Sequence, residues 1–245
     1  IIGTKYSKYG IGYGVSPKAV KFMFTPSVSS NCFNLVGTLH GGFRINVSIQ
    51  NVLISNSNGL GVAAINVDHG IYGVYKNISV FGFSKQIICN GTIGNTFSDC
   101  FLGNGANICL EYSGNYETTD VWDKCTFFGA TVAHNFLGAS IGVRFVNCLF
   151  EQILDAVAIV PKEAQAILYE NCYSEDVCYS GLAASCVFRV GKTGSALTAQ
   201  AHLIINGGLY QGKNTGGIGA FIDSDYCTGI IISNIDVARF TDLIK

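Results

Sequence analysis

A short run of alternating apolar and polar residues recurs along the chain at a regular interval. Four copies share the same order of residues: an aromatic residue, any residue, a polar residue and a cysteine. The cysteines of these copies are Cys100, Cys125, Cys148 and Cys172, and successive cysteines are separated by 25, 23 and 24 residues. Copies without the cysteine begin at four further residues: Ile49, Tyr75, Ile205 and Ile232. Eight copies at a period of about 24 residues predict a repeat architecture in which each copy is one structural unit.

Within each copy the apolar residues have the period of 2 that is typical of a β-strand. We expect the first residue of the frame to point inward, the second outward, and the cysteine position inward again. The residue before the cysteine position is most often asparagine, which tolerates the left-handed backbone conformation that bends a strand sharply. We therefore predict a ladder of stacked asparagines at the bend, formed by Asn51, Asn77, Asn147, Asn171 and Asn234. Three copies have another residue at this position and interrupt the ladder: Asp99, Lys124 and Gly207.

Stacking one unit on the next, with strands ~4.8 Å apart, produces a parallel β-solenoid. The composition agrees, because 30 Gly and only 3 Pro favour tight turns, and β-branched and aromatic residues are typical of strands. We predict an all-β chain that forms a single solenoid domain over residues 1–245, with about 24 residues per coil.

The ten cysteines fit a structural role better than a chemical one. The repeated cysteines follow the coil period, there is no Cys-x-x-Cys motif, and no histidine is spaced for a zinc site. Free cysteine is commonly buried as a small apolar residue. We therefore predict a file of free thiols in the interior, and neither a metal nor another cofactor is expected.

Charge and hydropathy exclude several classes of function. With 15 Lys+Arg against 16 Asp+Glu, the net charge of −1 gives no concentrated cationic face for nucleic acid. Hydrophobic residues make up 49% and charged residues 13%, which excludes a disordered chain. No apolar run reaches the ~18 residues of a membrane helix, so membrane insertion is not expected. The chain starts at Ile1, and we expect it to be a fragment of a longer protein.

The repeated Phe-x-Asn-Cys-x-Phe coil resembles the right-handed parallel β-helix of the pectate-lyase superfamily. The first units, with Phe22–Phe24, Cys32–Leu35 and Val47–Ile54, are similar to the early coils of bacteriophage tailspike and capsule-depolymerase proteins. This resemblance implies a homotrimer on the virion tail, outside the cell, that binds a bacterial surface polysaccharide (capsule or O-antigen). It also implies cleavage of that polysaccharide without a cofactor.

Two carboxylates are predicted to lie side by side on the outside of this solenoid. Glu151 and Glu175 occupy equivalent positions in adjacent coils, so their Cα atoms should be about 5 Å apart. Like charges at that distance raise one pKa and provide a general acid near neutral pH, and glycoside hydrolysis uses such a pair. Asp155, beyond the following turn, and Asp176, beside Glu175, could supply the second carboxylate at a wider spacing.

The neighbouring outward positions supply candidate sugar-binding residues. Tyr173 lies in an outward column that is more apolar than a solvated face, which favours either a subunit interface or a surface for stacking sugar rings. Tyr112, Tyr116 and Glu117 lie in a polar stretch between coils, and loops on a rigid scaffold often bind ligands. The only tryptophan, Trp122, aligns with inward residues and is predicted to lie in the core.

Two other functions remain open from the sequence. A polysaccharide lyase of the same fold would need cations to neutralise a uronate carboxylate, and the local candidates are Lys124, His134 and Arg144. A non-catalytic glycan-binding or structural β-helix would carry its carboxylates at an interface.

Overall fold

The computed structural model describes residues 20–37, 45–114, 117–178, 184–194, 201–213 and 219–245. In these segments the chain forms 22 β-strands and no helix, and therefore no helix able to span a membrane. The fold is a right-handed parallel β-helix, because all described strand pairs run parallel and each coil stacks on the preceding one. The predicted fold class is confirmed.

Each complete coil has three faces, which we call A, B and C in chain order. Faces A and B form one 13-stranded sheet, in which several strands continue around the bend from A to B. Its strands are β1 (Val20–Phe24), β3 (Ser48–Asn56), β5 (Val74–Phe81), β7 (Thr96–Ser98), β8 (Phe101–Gly103), β10 (Val121–Asp123), β11 (Thr126–Phe128), β13 (Arg144–Val146), β14 (Leu149–Glu151), β16 (Ile167–Val177), β18 (Ala201–Gly212), β20 (Cys227–Ser233) and β21 (Asp236–Ala238).

Face C is a separate sheet of nine parallel strands. They are β2 (Phe33–Val36), β4 (Ala63–Asp68), β6 (Lys85–Asn90), β9 (Ile108–Tyr112), β12 (Val132–Phe136), β15 (Ala156–Val160), β17 (Cys186–Val190), β19 (Ala220–Ser224) and β22 (Asp242–Ile244). The core lies inside the three faces and runs the length of the solenoid.

The strand register confirms the sequence repeat residue by residue. Trp122 pairs with Phe97 on one side and with Phe145 on the other, so the first residues of the frame stack in one column. Their rings form a continuous interior stack, with centroids 4.5 Å apart for Tyr75 and Phe97 and 3.8 Å apart for Phe97 and Trp122. Trp122 is completely buried, as predicted for a core residue.

The bend between faces A and B has a left-handed backbone in every copy of the repeat. Asn77 has a φ of 53° and donates a side-chain hydrogen bond of 2.8 Å to Asn51 of the preceding coil. Asp99 and Lys124 adopt the same conformation, with φ of 54° and 53°, although they interrupt the amide ladder. Gly207 also has positive φ, and a Cβ there would collide with the side chain of Asn171.

The cysteines are free, and the repeated ones form the predicted buried file. Each thiol in the file lies near backbone carbonyl oxygens, as where Cys148 Sγ is 3.4 Å from the carbonyl oxygen of Trp122. Burial raises the pKa of the Cys125 and Cys148 thiols well above the ordinary value, which keeps them protonated and unreactive. Their role in this fold is packing.

We expect Lys124→Asn to stabilise the protein by about 1 kcal/mol, because asparagine tolerates the left-handed conformation that lysine adopts there at a cost. The ion pair that the substitution removes, from the exposed Lys124 Nζ to Asp123 Oδ2 (3.3 Å), contributes little. Chemical denaturation of both proteins measures the difference. Lys76→Asn, one residue before a bend and in extended backbone, is the control that should give no gain. A less stable Lys124→Asn protein would contradict this account of the bend.

Candidate active site

Glu151 and Glu175 lie side by side on face B. They are direct register partners in the parallel pair of β14 and β16, one strand spacing (~4.8 Å) apart. The preceding residues, Phe150 and Ser174, are completely buried, so the two glutamates project outward. The adjacency predicted from the repeat is present in the structure.

The two glutamates differ in their surroundings. Partial burial, the charge of Glu175 and the charge of Asp176 raise the pKa of Glu151, in that order of importance. The Tyr173 hydroxyl donates a hydrogen bond of 3.0 Å to Oε2 of Glu175. No described residue donates a hydrogen bond to the side-chain carboxyl group of Glu151. This asymmetry makes Glu151 the better candidate for a general acid, because a raised pKa favours the protonated form that such a group needs.

Asp176 lies at the turn that leads from face B to face C. Its φ of 52° matches that of Gln152 (54°) at the same turn of the preceding coil, so the conformation belongs to the fold. Asp176 Oδ1 is buried and has no hydrogen-bond partner among the described residues. Its charge acts on Glu151, which places Asp176 within the acidic cluster as the sequence suggested.

Asp155 does not belong to this cluster, contrary to its predicted use as a second carboxylate. Its two oxygens accept hydrogen bonds of 3.0 and 3.2 Å from Arg189, which also donates to the carbonyl oxygen of Ala184. The ion pair holds Asp155 between neighbouring coils. A carboxylate engaged in this way has a structural role in joining coils.

Tyr112 and Glu117 are not accessible to a glycan, contrary to their prediction as sugar-binding residues in a loop between coils. Both are completely buried, Tyr112 at the end of β9 and Glu117 just before face A. Glu117 accepts hydrogen bonds from the backbone N–H groups of Gly91 and Gly114 and from the Ser140 hydroxyl. The remaining predicted loop residue, Tyr116, lies outside the described residues.

The polar network that holds Tyr112 centres on Asp120, a residue that the sequence reasoning missed. Its carboxylate accepts hydrogen bonds from Thr92 Oγ1 (2.7 Å), the Asn95 backbone N–H (2.7 Å) and Tyr112 OH (3.4 Å). Tyr112 in turn accepts one from Trp122 Nε1 at 2.8 Å. The sequence carries one signal for this polar network. Asn95 and Asp120 stand immediately before the face A strands β7 and β10, at a position where an apolar residue is expected.

The cations considered for a lyase are engaged elsewhere. Arg144 lies 3.3 Å from Glu170 on face A, and Lys124 lies 3.3 Å from Asp123. His134 is completely buried, with Nδ1 2.8 Å from the Tyr169 hydroxyl, and burial lowers its pKa well below the ordinary value. Its neutral ring therefore cannot neutralise a bound uronate.

Other ionic residues on face C also form pairs. Lys85 lies 2.6 Å from the nearly buried Glu111, and Lys192 lies 2.5 Å from Asp223. No group of three or more His, Cys, Asp or Glu side chains in the described segments is arranged to hold a metal ion. On face B, in contrast, Glu151 and Glu175 lie together, and their own strands, β14 and β16, contain no Lys or Arg.

Comparison with known proteins identifies the fold and leaves the family open. No protein-family model and no curated protein matches the chain. An alginate lyase from Paenibacillus sp. str. FPU-7 shares the fold with a TM-score of 0.57 and 10% sequence identity, over 89% of each chain. An endo-xylogalacturonan hydrolase from Aspergillus tubingensis gives 0.61 and 11%, over 87% of this chain and 63% of its own. This fold therefore supports polysaccharide-degrading enzymes of both chemistries.

The buried Asp120 predicts a pH dependence of stability. Burial raises the pKa of Asp120 from 3.8 to about 6 despite its hydrogen bonds. The folded state then binds more protons than the unfolded state between these two values, so stability should fall as pH rises from about 4 to about 6, by on the order of 3 kcal/mol. Denaturation at pH 4, 5, 6 and 7 measures the slope.

Asp120→Asn should flatten this slope because the titrating group is gone. Asp123→Asn, three residues later and partly exposed on face A, should leave it unchanged. Equal slopes in the wild type and the Asp120→Asn protein would show that Asp120 is not the responsible group.

Proposed function

We propose that this protein binds a polysaccharide and hydrolyses its glycosidic bonds at Glu151 and Glu175. The observation that carries the proposal is their register pairing on face B, with a raised pKa for Glu151 and a hydrogen-bonded Glu175. The fold shared with a polysaccharide lyase and a polysaccharide hydrolase supports the substrate class. Both catalytic groups are side chains, so the reaction needs no metal or organic cofactor.

In the proposed reaction Glu151 donates its proton to the glycosidic oxygen while the bond from that oxygen to the anomeric carbon breaks. In one route, Glu175 removes a proton from a water as that water attacks the anomeric carbon. In the other route, Glu175 attacks the anomeric carbon itself, and a water deprotonated by Glu151 then hydrolyses the glycosyl–Glu175 ester, which frees Glu175 and returns the proton to Glu151. Retaining enzymes separate their carboxyl groups by about 5–5.5 Å and inverting enzymes by about 6.5–9.5 Å. The backbone spacing of ~4.8 Å lies just below the first range, and side chains that splay apart by different amounts reach either range.

The biological setting is proposed from the sequence resemblance. A tailspike-type protein would act as a homotrimer on the virion tail, outside the cell, and its substrate would be a bacterial capsule or O-antigen. The outward apolar residues on face B are compatible with either a subunit contact or a bound glycan.

Hydrolysis is favoured over a lyase reaction by the charges around the site. Abstraction of a proton beside a uronate carboxylate needs a nearby cation to neutralise that carboxylate. The three cations considered for this role are paired or buried, whereas the glutamate pair suits acid catalysis.

Glu151→Gln and Glu175→Gln should each lower kcat by about 10²- to 10⁴-fold, because each removes one acid–base group. The assay uses purified capsular and O-antigen polysaccharides, with products measured by mass spectrometry. Each cut should add one water to the products. Unsaturated ends would instead indicate a lyase.

Glu170→Gln is the matched control, because Glu170 lies on the same strand as Glu175 but on face A, opposite Arg144. Its activity should equal that of the wild type. Full activity of the Glu151→Gln, Glu175→Gln double variant would eliminate the site. Glycan binding without any cleavage would identify a non-catalytic module.

The coupling of the two glutamates gives an independent test. Because the charge of Glu175 helps to raise the pKa of Glu151, Glu175→Gln should lower the pKa of Glu151. Titration of the Glu151 side chain by NMR, with selective labelling, measures the change. Glu170→Gln should not shift it, and an unchanged Glu151 pKa in Glu175→Gln would show that the two carboxylates do not interact.

A further inference from the structure

Three phenylalanines form a row on the outside of face B. Phe81, Phe101 and Phe128 come from three successive coils and are each only partly buried. Their ring centroids are 5.4 Å apart for Phe81 and Phe101 and 6.1 Å apart for Phe101 and Phe128, with interplanar angles of 32° and 33°. The outer surface of an antiparallel or solenoid sheet is normally polar, so an aromatic row there suggests a binding surface. We call it the phenylalanine row.

A glycine makes room for this row. Gly103 occupies the outward position between Phe81 and Phe128 in the register of the three coils. A Cβ at Gly103 would lie 2.8 Å from the Phe128 carbonyl oxygen and 3.0 Å from Cε1 of Phe101. The Phe101 ring therefore leans over a position that has no side chain, which brings the three rings into one continuous surface.

The phenylalanine row leads directly to the two glutamates. Phe128 is the register partner of Glu151, and Glu151 is the register partner of Glu175. Because neighbouring coils are one strand spacing apart, the rings and the carboxylates form a single line parallel to the solenoid axis. A chain molecule lying along that line would contact the rings and then the carboxylates.

We propose that the phenylalanine row binds a run of neutral pyranose rings of the same polysaccharide chain that Glu151 and Glu175 cleave, a proposal that rests on the proposed hydrolysis. The C–H groups on one face of a pyranose ring pack against the face of an aromatic ring, and the electron-rich aromatic face favours this contact. The hydroxyl groups at the ring edge remain free to donate hydrogen bonds to the carboxylates.

The charges of face B indicate that the bound sugars are uncharged. The strand segments Ile78–Phe81, β8, β11, β14 and Cys172–Val177 contain no Lys or Arg. They do carry Glu151, Glu175 and Asp176. Arg239, which acts electrostatically on Tyr173, lies two coils beyond Glu175, on the side away from the rings. A uronate chain along the row would therefore bring its carboxylates beside this acidic cluster without a compensating cation on these strands, and like charges at such distances repel.

The same charges argue against a second copy of this chain as the occupant. A protein interface over the row would continue over Glu151 and Glu175 and remove two adjacent carboxylates from water. Interface centres are depleted of charged residues, and uncompensated buried charge is costly. Sugar hydroxyls can replace the water hydrogen bonds of the carboxylates.

Affinity electrophoresis tests the proposal with Glu151→Gln as the parent protein. Glutamine imitates the protonated acid, slows cleavage and leaves the charges of Glu175 and Asp176 in place. Dextran, a galactomannan and a mixed-linkage β-glucan are the neutral probes, and alginate and polygalacturonate are the anionic ones. At least one neutral probe should retard the protein, and the anionic probes should not.

Substitutions of the phenylalanines in the Glu151→Gln protein test whether the phenylalanine row is responsible for the retardation. Phe101→Ala and Phe128→Ala should each weaken binding about three- to tenfold, as expected for loss of one aromatic contact. Phe128→Leu removes the ring but keeps an apolar side chain, so it tests the ring if the alanine variant does not fold. Phe128→Tyr should bind normally. Tyr72→Ala, an exposed aromatic residue near the start of face A, is the control and should also bind normally.

Four results would overturn the proposal. They are equal or stronger binding of the anionic probes, unchanged binding by the ring variants, no binding of any neutral probe, and an oligomer that dissociates in light scattering when Phe128 is replaced by alanine. Failure of the hydrolysis proposal is distinguishable. In that case the wild type binds a neutral glycan through the rings but releases no product, whereas cleavage that is independent of the rings would defeat this inference alone.

Discussion

In all eight described copies of the repeat, the coil turns from face A to face B at one residue with a left-handed backbone, and the rest of the structure depends on that bend. Because the turn is a single residue, it allows no variation in length, so each coil starts face B at the same position as the coil before it. Parallel strands then stay in register on both sides of the bend, and the described pairs shift register only towards strand ends, between Ser174 and Val177 and between Ala201 and His202. Side chains that are one period apart in sequence become neighbours one strand spacing apart.

The candidate site is a direct consequence of this register. Outside the core, a fixed register stacks whatever the sequence supplies, including side chains that repel each other. Glu151 and Glu175 are held together because their strands are held together, through a core in which Phe150 and Ser174 are completely buried. The sheet thus maintains a like-charge pair that flexible loops would allow to separate. Partial burial and, after it, the charge of the neighbouring Glu175 raise the pKa of Glu151.

The same regularity explains what the sequence could and could not predict. The period located the bends, the thiol file, the burial of Trp122 and the pairing of the two glutamates, since all of these follow from position within the repeat. The corner between faces C and A has no such constant spacing, and Tyr112 and Glu117 looked like loop residues because their neighbours are polar. Asp155 was misjudged because its partner, Arg189, is 34 residues away in the next coil, where no local pattern indicates an ion pair.

The raised pKa values of Asp120 and Glu151 have different meanings, and the access of a ligand to each carboxyl group distinguishes them. Asp120 is buried among donors that occupy its oxygens, so its proton affects stability and cannot reach a ligand. The Glu151 carboxyl group receives no hydrogen bond from the described residues, lies partly exposed beside Glu175, and continues a row of aromatic rings. A proton on Glu151 can therefore be transferred to a bound molecule. A perturbed pKa indicates function here only where the geometry also leaves the carboxyl group a place to deliver its proton.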